Sequence, residues 1–307
     1  MRNLCFWGEI SQEQRNREHE IKSSEAKSSE TGNQENQEQE ARNREKEINN
    51  TKHTKGTGRF SVGREEEFIH RVTNYWTVRT KDFNKVRMNE LHGEITDRWL
   101  EELHRWIPKD RPLDILDAGT GTGYFALLMA RDGHRVTGID LTESMLETAR
   151  ENEKLFDVEI NFCLMNVQET TFPSESFDVI VTRNVTWTLP DPEKAYREWH
   201  RLLRPGGILL NYDANYADNV RHNNQKESWV KPDGVYGHIG ITNELMIENA
   251  KITLAVPAGS HHRPAWDEEL ASTVGFTSFG SDESLGKRVL RENDMSDAPM
   301  FLFWARK

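Results

Sequence analysis

Apolar positions along this chain first become regular near residue 68. Phe68, Val72, Tyr75 and Trp76 recur at helical spacing, and Leu91, Ile95, Trp99, Leu100 and Leu103 repeat the pattern. A helical lead-in is expected over residues 59–110, its second helix ending near Pro108. Strands and helices then alternate. Leu113 to Leu116 is a short apolar run that ends in Asp117 and a glycine-rich loop. Tyr124 to Ala130 reads as helix, Arg135 to Ile139 as strand, Ser144 to Asn152 as helix and Val158 to Leu164 as strand. Phe177 to Val181 is a fourth strand. Pro192 to Leu203 is a helix stopped by Pro205-Gly206-Gly207, and Ile208 to Tyr212 is a fifth strand. Such alternation predicts an α/β fold, a doubly wound and mostly parallel sheet with helices on both faces.

The rhythm breaks between Asn215 and Pro264. This stretch is polar and aromatic, with Trp229, Tyr236 and several histidines, and holds one expected helix, Asn243 to Ala250. Its place after the fifth strand suggests an insertion, over residues 214–265, that covers the carboxyl ends of the strands. Residues 266–307 are expected to add a helix and two strands, the last at Met300 to Trp304, which brings the sheet to seven strands.

Residues 1–58 have a different composition. From Ser11 to Asn50 they are dominated by Glu, Gln, Asn, Lys, Arg and Ser, with only Ile21 and Ile48 as larger aliphatic residues. Such a segment cannot bury enough apolar surface to offset the entropy of ordering it. A crude repeat runs through it: Arg15-Asn16-Arg17-Glu18 follows Gln12-Glu13-Gln14, and Arg42-Asn43-Arg44-Glu45 comes soon after Gln37-Glu38-Gln39. A disordered low-complexity tail is expected, with a partner-binding helix as the alternative, and Thr54 to Gly58 as linker.

Charge and cysteine content narrow the function classes. The formal net charge is -11, whereas nucleic-acid binders usually carry a basic face. The two cysteines, Cys5 and Cys163, have no metal-ligand spacing and no disulfide framework. His261 and His262 are adjacent, and neighbouring residues rarely converge on one ion, so no metal is expected. No apolar run reaches the roughly 18 residues that span a bilayer. Met1 to Trp7 is mildly apolar but too short for a signal-peptide core of about 7–15 residues, and a polar, charged stretch follows at once. A soluble cytoplasmic protein is expected, without membrane or nucleic-acid partners. The choice between monomer and homodimer is not written in the pattern.

The chemistry concentrates at the first strand. Asp117-Ala118-Gly119-Thr120-Gly121-Thr122-Gly123 follows it directly. Glycines there let backbone approach a ligand and adopt positive φ without strain. A glycine loop after a strand is shared by many nucleotide-binding folds. Here it reads Gly-x-Gly-x-Gly, not the dinucleotide Gly-x-Gly-x-x-Gly, and no phosphate-binding Lys-Ser/Thr pair follows. Asp140 ends the next strand, where a carboxylate can accept hydrogen bonds from both hydroxyls of a ribose.

At four ordered blocks the chain resembles the class I S-adenosylmethionine-dependent methyltransferases. The blocks are Ile115 to Gly123, Gly138 to Leu146, Phe172 to Ile180 and Leu202 to Gly207. The resemblance covers about residues 111–213, and the subgroup it looks most like is the small-molecule enzymes akin to those of quinone biosynthesis. It implies a Rossmann-like sheet with a helical N-terminal cap and a lid insertion, S-adenosyl-L-methionine as cofactor and a small-molecule acceptor. It also implies residue roles. Gly119, Thr120, Gly121 and Gly123 would hold the methionyl part, and Asp117 would orient that loop or the cofactor ammonium. Asp140 would bind the ribose, and Leu141 and Met145 would flank the adenine. Relatives often have an acidic and then a small residue after the third strand; here Asn166-Val167-Gln168 stands there. Asp117 also reads as a cap for the following helix, and Met145 as plain core.

For the reacting end the chain supplies several candidates. The loop after the fourth strand is Arg183-Asn184-Val185-Thr186-Trp187-Thr188-Leu189-Pro190. Relatives often carry a His pair at Thr186-Trp187. Arg183 or Asn184 is a candidate for the cofactor carboxylate or the substrate, with Asn184 as a helix-capping loop residue the alternative. Tyr75, Trp76 and Arg79 echo a family pattern that closes over the methionyl end, Arg79 pairing with its carboxylate; plain core packing is the alternative. In the insertion, His238 is the candidate general base, beside Tyr236, His261, His262, Arg263 and Trp266. Two other function classes stay open: a nicotinamide-dependent oxidoreductase on a Rossmann sheet, and a cofactor-binding regulatory protein without catalysis. The pattern does not specify the acceptor atom.

Overall fold

In the computed structural model, which describes residues 62–223, 239–290 and 300–307, the lead-in is two helices, α1 (Val62–Leu91) and α2 (Glu94–His104). The low-complexity segment, its linker, Trp229, Tyr236 and His238 lie outside the described residues. Helix α1 is longer than the apolar spacing suggests. Its buried stripe continues past Trp76 through Arg79, Val86, Arg87 and Glu90, so charged residues occupy positions that a count of apolar side chains alone misses.

The core then alternates β1 (Asp114–Ala118), α3 (Tyr124–Arg131), β2 (Arg135–Asp140), α4 (Glu143–Phe156), β3 (Ile160–Leu164), β4 (Phe177–Arg183), α5 (Pro192–Leu202) and β5 (Leu203–Ala214). The insertion contributes α6 (Tyr216–Asn223), α7 (Asn243–Ala255) and a 3-10 turn (Pro257–Ser260), two elements more than expected. The chain closes with α8 (Ala265–Val274), β6 (Ser278–Asp282), a short α9 (Leu285–Val289) and β7 (Met300–Arg306). The seven strands lie in the order β3-β2-β1-β4-β5-β7-β6. All neighbours are parallel except β7, which runs antiparallel to β5 and β6.

Period-2 alternation on buried strands sends side chains into two cores. Ile115, Val179, Val181, Ile208, Leu210 and Leu302 join Trp99 of α2 and the apolar residues of α3 on one face. Leu116, Ile180, Leu209, Phe301 and Phe303 meet Tyr196 and Trp199 of α5 and Leu270 of α8 on the other. Local signals start and stop these helices. Asp191 caps α5 by accepting from the Lys194 N–H at 3.0 Å, with Pro192 in the first turn. Thr242 caps α7 in the same way, and Gly275 ends α8 at φ 103.

One boundary departs from the expected turn. Pro205-Gly206-Gly207 lies inside β5 rather than before it. A register shift opposite Phe177 and Val179 and a φ of 78 at Gly206 let the strand absorb these residues as a bulge. No helix among the described residues is long and apolar enough to cross a membrane.

A buried ion network ties the return of the insertion to the sheet. Arg263 donates to Asp267 at 2.9 and 2.7 Å and to Asp213, near the end of β5, at 3.0 Å. All three side chains are fully enclosed. Thr186 and the Trp187 N–H also donate to Asp213, and Tyr196 donates to Asp267 at 2.6 Å. One guanidinium thus neutralises two carboxylates that have lost their water. Replacing Arg263 with Met leaves both acids without a cation. The variant is expected to lose about 3–5 kcal/mol of stability, the cost of stripping one partner from a buried pair, as read from urea denaturation of the purified protein.

Candidate active site

The strand order reverses direction between β1 and β4, and ligands of open α/β sheets bind outside the carboxyl ends at such a switch point. The glycine loop occupies this position. Gly119 and Thr120 donate through their N–H groups to the Ile139 carbonyl at 2.8 and 2.9 Å, which fastens the loop to β2. Gly119, Gly121 and Gly123 have φ of 75, 55 and 87. The space around them is tight: a Cβ on Gly119 would overlap the Val185 side chain, and one on Gly121 would touch the Phe83 ring at 3.4 Å. The glycine loop, the loop after β4 and helix α1 therefore meet at one place.

Asp117 is buried beneath the loop. Its Oδ2 accepts from the Thr120 hydroxyl at 2.7 Å and from the Ala126 N–H at 3.0 Å. Ala126 lies in the first turn of α3, so Asp117 orients the loop and caps the helix together. Asp140 is partly buried. Its Oδ2 accepts from the Gly121 N–H and its Oδ1 from the Thr142 N–H, both at 2.9 Å. Each of these oxygens keeps a second lone pair for a ligand hydroxyl. Leu141, beside it, is 37% exposed, whereas Met145 is buried. Asn166 accepts from the Gln168 N–H at 2.9 Å, and Val167 is buried. The Gln168 side chain is committed elsewhere, accepting from the Asp191 N–H at 2.9 Å and donating to Glu65 at 3.4 Å. An adenosyl group fits these residues at the cradle that glycine leaves open, the strand-end acid and the exposed Leu141.

Around the reacting end, Tyr75 and Trp76 stand edge to face at 5.2 Å. Trp76 also meets Phe83 at 5.3 Å and Trp187 at 6.5 Å, and Trp187 meets Tyr216 at 5.0 Å. This aromatic wall runs from the glycine loop to the start of α6. Asn184 sits at φ 58 and accepts from the Tyr216 hydroxyl at 2.8 Å, while its carbonyl accepts from the Trp187 indole at 2.8 Å. Arg79 is buried and donates to the Ile239 carbonyl at 3.0 Å. Arg183 turns toward α1, donating to both oxygens of Glu90 at 2.9 and 3.2 Å. His261 is exposed, stacks on Trp266 at 4.2 Å and faces the Pro257 carbonyl; His262 is exposed as well. His238 lies outside the described residues. Among the described residues no group of three or more His, Cys, Asp or Glu could hold a metal.

The sequence reading missed Phe83, Arg87, Glu90 and Tyr216. The first three follow Tyr75, Trp76 and Arg79 along α1 at helical intervals. Extending the stripe beyond Trp76 and admitting charged members would have found them.

Electrostatics separate the two strand-end acids from ordinary carboxylates. Burial pushes Asp117 up to about 7, against the pull of the Thr120 hydroxyl and the Ala126 N–H, and the charge of Asp140 adds to the rise. Burial also raises Asp140, opposed by the Thr142 and Gly121 N–H groups. Between about pH 4 and pH 7 the folded protein holds a proton on Asp117 that the unfolded chain has released. Its contribution to stability is full below that window and lost as pH rises through it. Asp117→Asn keeps an acceptor oxygen and removes the titration. Urea denaturation at pH 5 and pH 8 should show the wild type losing about 2–3 kcal/mol relative to the variant. A pH-independent difference would show that Asp117 titrates as an ordinary carboxyl.

Comparison with known proteins agrees with this geometry. A family model described as a methyltransferase domain matches residues 116–211. A demethylmenaquinone methyltransferase of Listeria welshimeri is 30% identical over 155 residues, covering 49% of this chain and 64% of the relative. A ubiquinone biosynthesis O-methyltransferase of Coxiella burnetii is 30% identical over 127 residues, covering 41% of this chain and 49% of the relative. The chain thus spans less than two thirds of the length of these curated relatives. A chain of the solved complex between the Haloferax volcanii Trm112 methyltransferase activator and a methyltransferase shares the fold. Its TM-score is 0.50 at 18% identity, covering 75% of this chain and 96% of the other. The stretch that this family model matches carries the glycine loop, Asp117, Asp140 and the loop after β4.

Proposed function

We propose that this protein transfers a methyl group from S-adenosylmethionine to a small-molecule acceptor, releasing S-adenosylhomocysteine. The observation that carries the reading is the hydrogen bond between Asp140 and the Gly121 N–H. It joins the acid suited to a ribose directly to the glycine loop, at the switch point of a methyltransferase domain. In this reading the glycine loop and the free end of α3 hold the methionyl part. Asp140 receives the ribose hydroxyls, and Leu141 and the Asn166-Val167 turn border the adenine. Arg79 lies on the same face of α1 as Tyr75 and Trp76 and borders the methionyl end.

The bound cofactor supplies a methyl group activated on a positive sulfur. The nucleophile of the acceptor forms the new bond to that carbon as the carbon–sulfur bond breaks, so alignment governs the rate. Proximity and orientation alone can account for roughly 7–11 kcal/mol in favourable cases. The wall of Tyr75, Trp76, Trp187 and Tyr216 excludes water and shapes the acceptor side. We assign residues 59–110 as a cap, 111–213 as the cofactor core, 214–265 as a lid and 266–307 as the closing helix and strands, with 1–58 as a separate tail. Quinone-type phenols are the acceptors to try first, since the named relatives methylate or build quinones. A net charge of -11 favours a small molecule over nucleic acid as partner, and a cytoplasmic location belongs to the same reading.

Calorimetric titration with S-adenosylmethionine and with NADH tests the cofactor: binding of NADH alone would sink the assignment. Asp140→Ala is expected to weaken S-adenosylmethionine binding by roughly 1–3 kcal/mol, the range for hydrogen bonds to a charged group. An unchanged dissociation constant in the folded variant would remove Asp140 from the ribose. Formation of S-adenosylhomocysteine from labelled cofactor and a panel of phenols tests the transfer itself.

A further inference from the structure

The loop after β4 turns at Asn184, whose φ is 58. A left-handed backbone is costly for a residue with a side chain, less so for Asn than for most. Such positions persist where surrounding contacts hold them, and they gather at active sites. The contacts of Asn184 account for almost all of its polar atoms. Its N–H donates to the Tyr212 carbonyl at 2.8 Å, its carbonyl accepts from the Trp187 indole at 2.8 Å, and its Oδ1 accepts from the Tyr216 hydroxyl at 2.8 Å. Among the described residues only its Nδ2 has no partner. Asn184 is partly exposed, and Nδ2 is not enclosed.

An amide can turn either its oxygen or its nitrogen toward a neighbour, and the hydrogen-bond network selects between them. Tyr216 makes that selection. Burial first, and then the charge of Asp213, raises its phenol above the ordinary range, against the pull of Arg183, Arg87 and Arg263, so the hydroxyl keeps its proton. A phenol oxygen shares its lone pairs with the ring and donates better than it accepts. The amide oxygen therefore faces Tyr216, and Nδ2 faces away from it. The Tyr216 ring is held in turn by Trp187 at 5.0 Å, whose backbone N–H donates to Asp213 at 3.1 Å. The residue after Asn184, Val185, fills the space over Gly119, and Trp187 meets Trp76. Asn184 thus lies between the glycine loop and the aromatic wall.

Building on the methyl-transfer reading above, we propose that Tyr216 is a positioning residue: its hydroxyl locks the Asn184 amide so that Nδ2 donates to an oxygen of the methyl acceptor. The lock discriminates between acceptor classes. A hydroxyl oxygen has two lone pairs, so one accepts from Nδ2 while the other attacks the methyl carbon. A neutral amine has a single lone pair, which the attack consumes, so Nδ2 cannot hold it during transfer. The acceptor oxygen forms its bond to the methyl carbon, the electron pair of the carbon–sulfur bond returns to sulfur, and the hydroxyl proton is released to water. Tyr216→Phe keeps the ring in the wall and removes the lock. Asn184→Gly removes the amide and tolerates the positive φ.

The full chain, both variants and the double variant are titrated calorimetrically with S-adenosylmethionine. Each is then saturated with S-adenosylhomocysteine and titrated with 2-naphthol and with 2-naphthylamine, which match in shape. The wild type is expected to bind 2-naphthol more tightly than 2-naphthylamine. Tyr216→Phe loses about three- to tenfold in affinity for 2-naphthol, the range for one neutral hydrogen bond. It keeps its affinity for 2-naphthylamine and for S-adenosylmethionine. In the Asn184→Gly background the same change has no further effect, because lock and donor act as one unit. A merely structural role lowers all three affinities together, and that result overturns the proposal. So does the absence of any loss in Tyr216→Phe, a loss that persists in the Asn184→Gly background, or wild-type protein that binds 2-naphthol no better than 2-naphthylamine. Wild-type protein that does not bind S-adenosylmethionine overturns the cofactor reading instead, and the naphthol pair, titrated into the free protein, still decides the role of Tyr216.

Discussion

A carboxylate buried at the end of a parallel strand has lost its water, and the chain around it must supply donors in its place. The carboxyl edge of this sheet is organised by that demand. At β1, Asp117 collects the Thr120 hydroxyl and the Ala126 N–H. At β2, Asp140 collects the N–H groups of Gly121 and Thr142. At β5, Asp213 collects Thr186, the Trp187 N–H and Arg263. Each acid pulls a different loop onto the edge, and together they fix the glycine loop, the start of α4, the loop after β4 and the return of the insertion.

Strand β4 ends in the opposite charge, and the demand is reversed. Arg183 draws Glu90 inward from α1, which carries Tyr75, Trp76 and Phe83 to the site on the same helix face. The two buried ion groups differ in sign. The group around Arg263 has two acids for one cation, with hydroxyl and backbone donors making up the difference. The group around Glu90 has two cations for one acid, with aromatic faces beside them and an enclosed Nε–H left over on each arginine. The first is closed upon itself and serves the fold.

Such an edge suits in-line group transfer. The transfer proposed above asks for alignment of three atoms more than for proton shuttling, and a loop fastened at Asp117, Ile139 and Asp140 changes shape only at the cost of several buried hydrogen bonds. His261 and His262 are exposed, and His261 stacks on Trp266.

The chain alone determined what depends on neighbours in sequence. The alternation of short apolar runs with amphipathic stretches specified the strands and helices, because burial on both faces of a parallel sheet leaves little choice of residue. Gly119, Gly121 and Gly123 after Asp117, and Asp140 one strand later, specified the cradle, because positive φ and a strand-end acid are local requirements. Tertiary structure decided which charges meet. Glu90 and Arg183 are far apart in sequence, as are Asp213 and Arg263, and nothing local marks a charged side chain as enclosed. Arg183 and Gln168, both readable as ligand contacts, are claimed by Glu90, Glu65 and Asp191. Arg87 reads as one more polar helix residue until α1 lies against β4, where it shares Glu90 with Arg183.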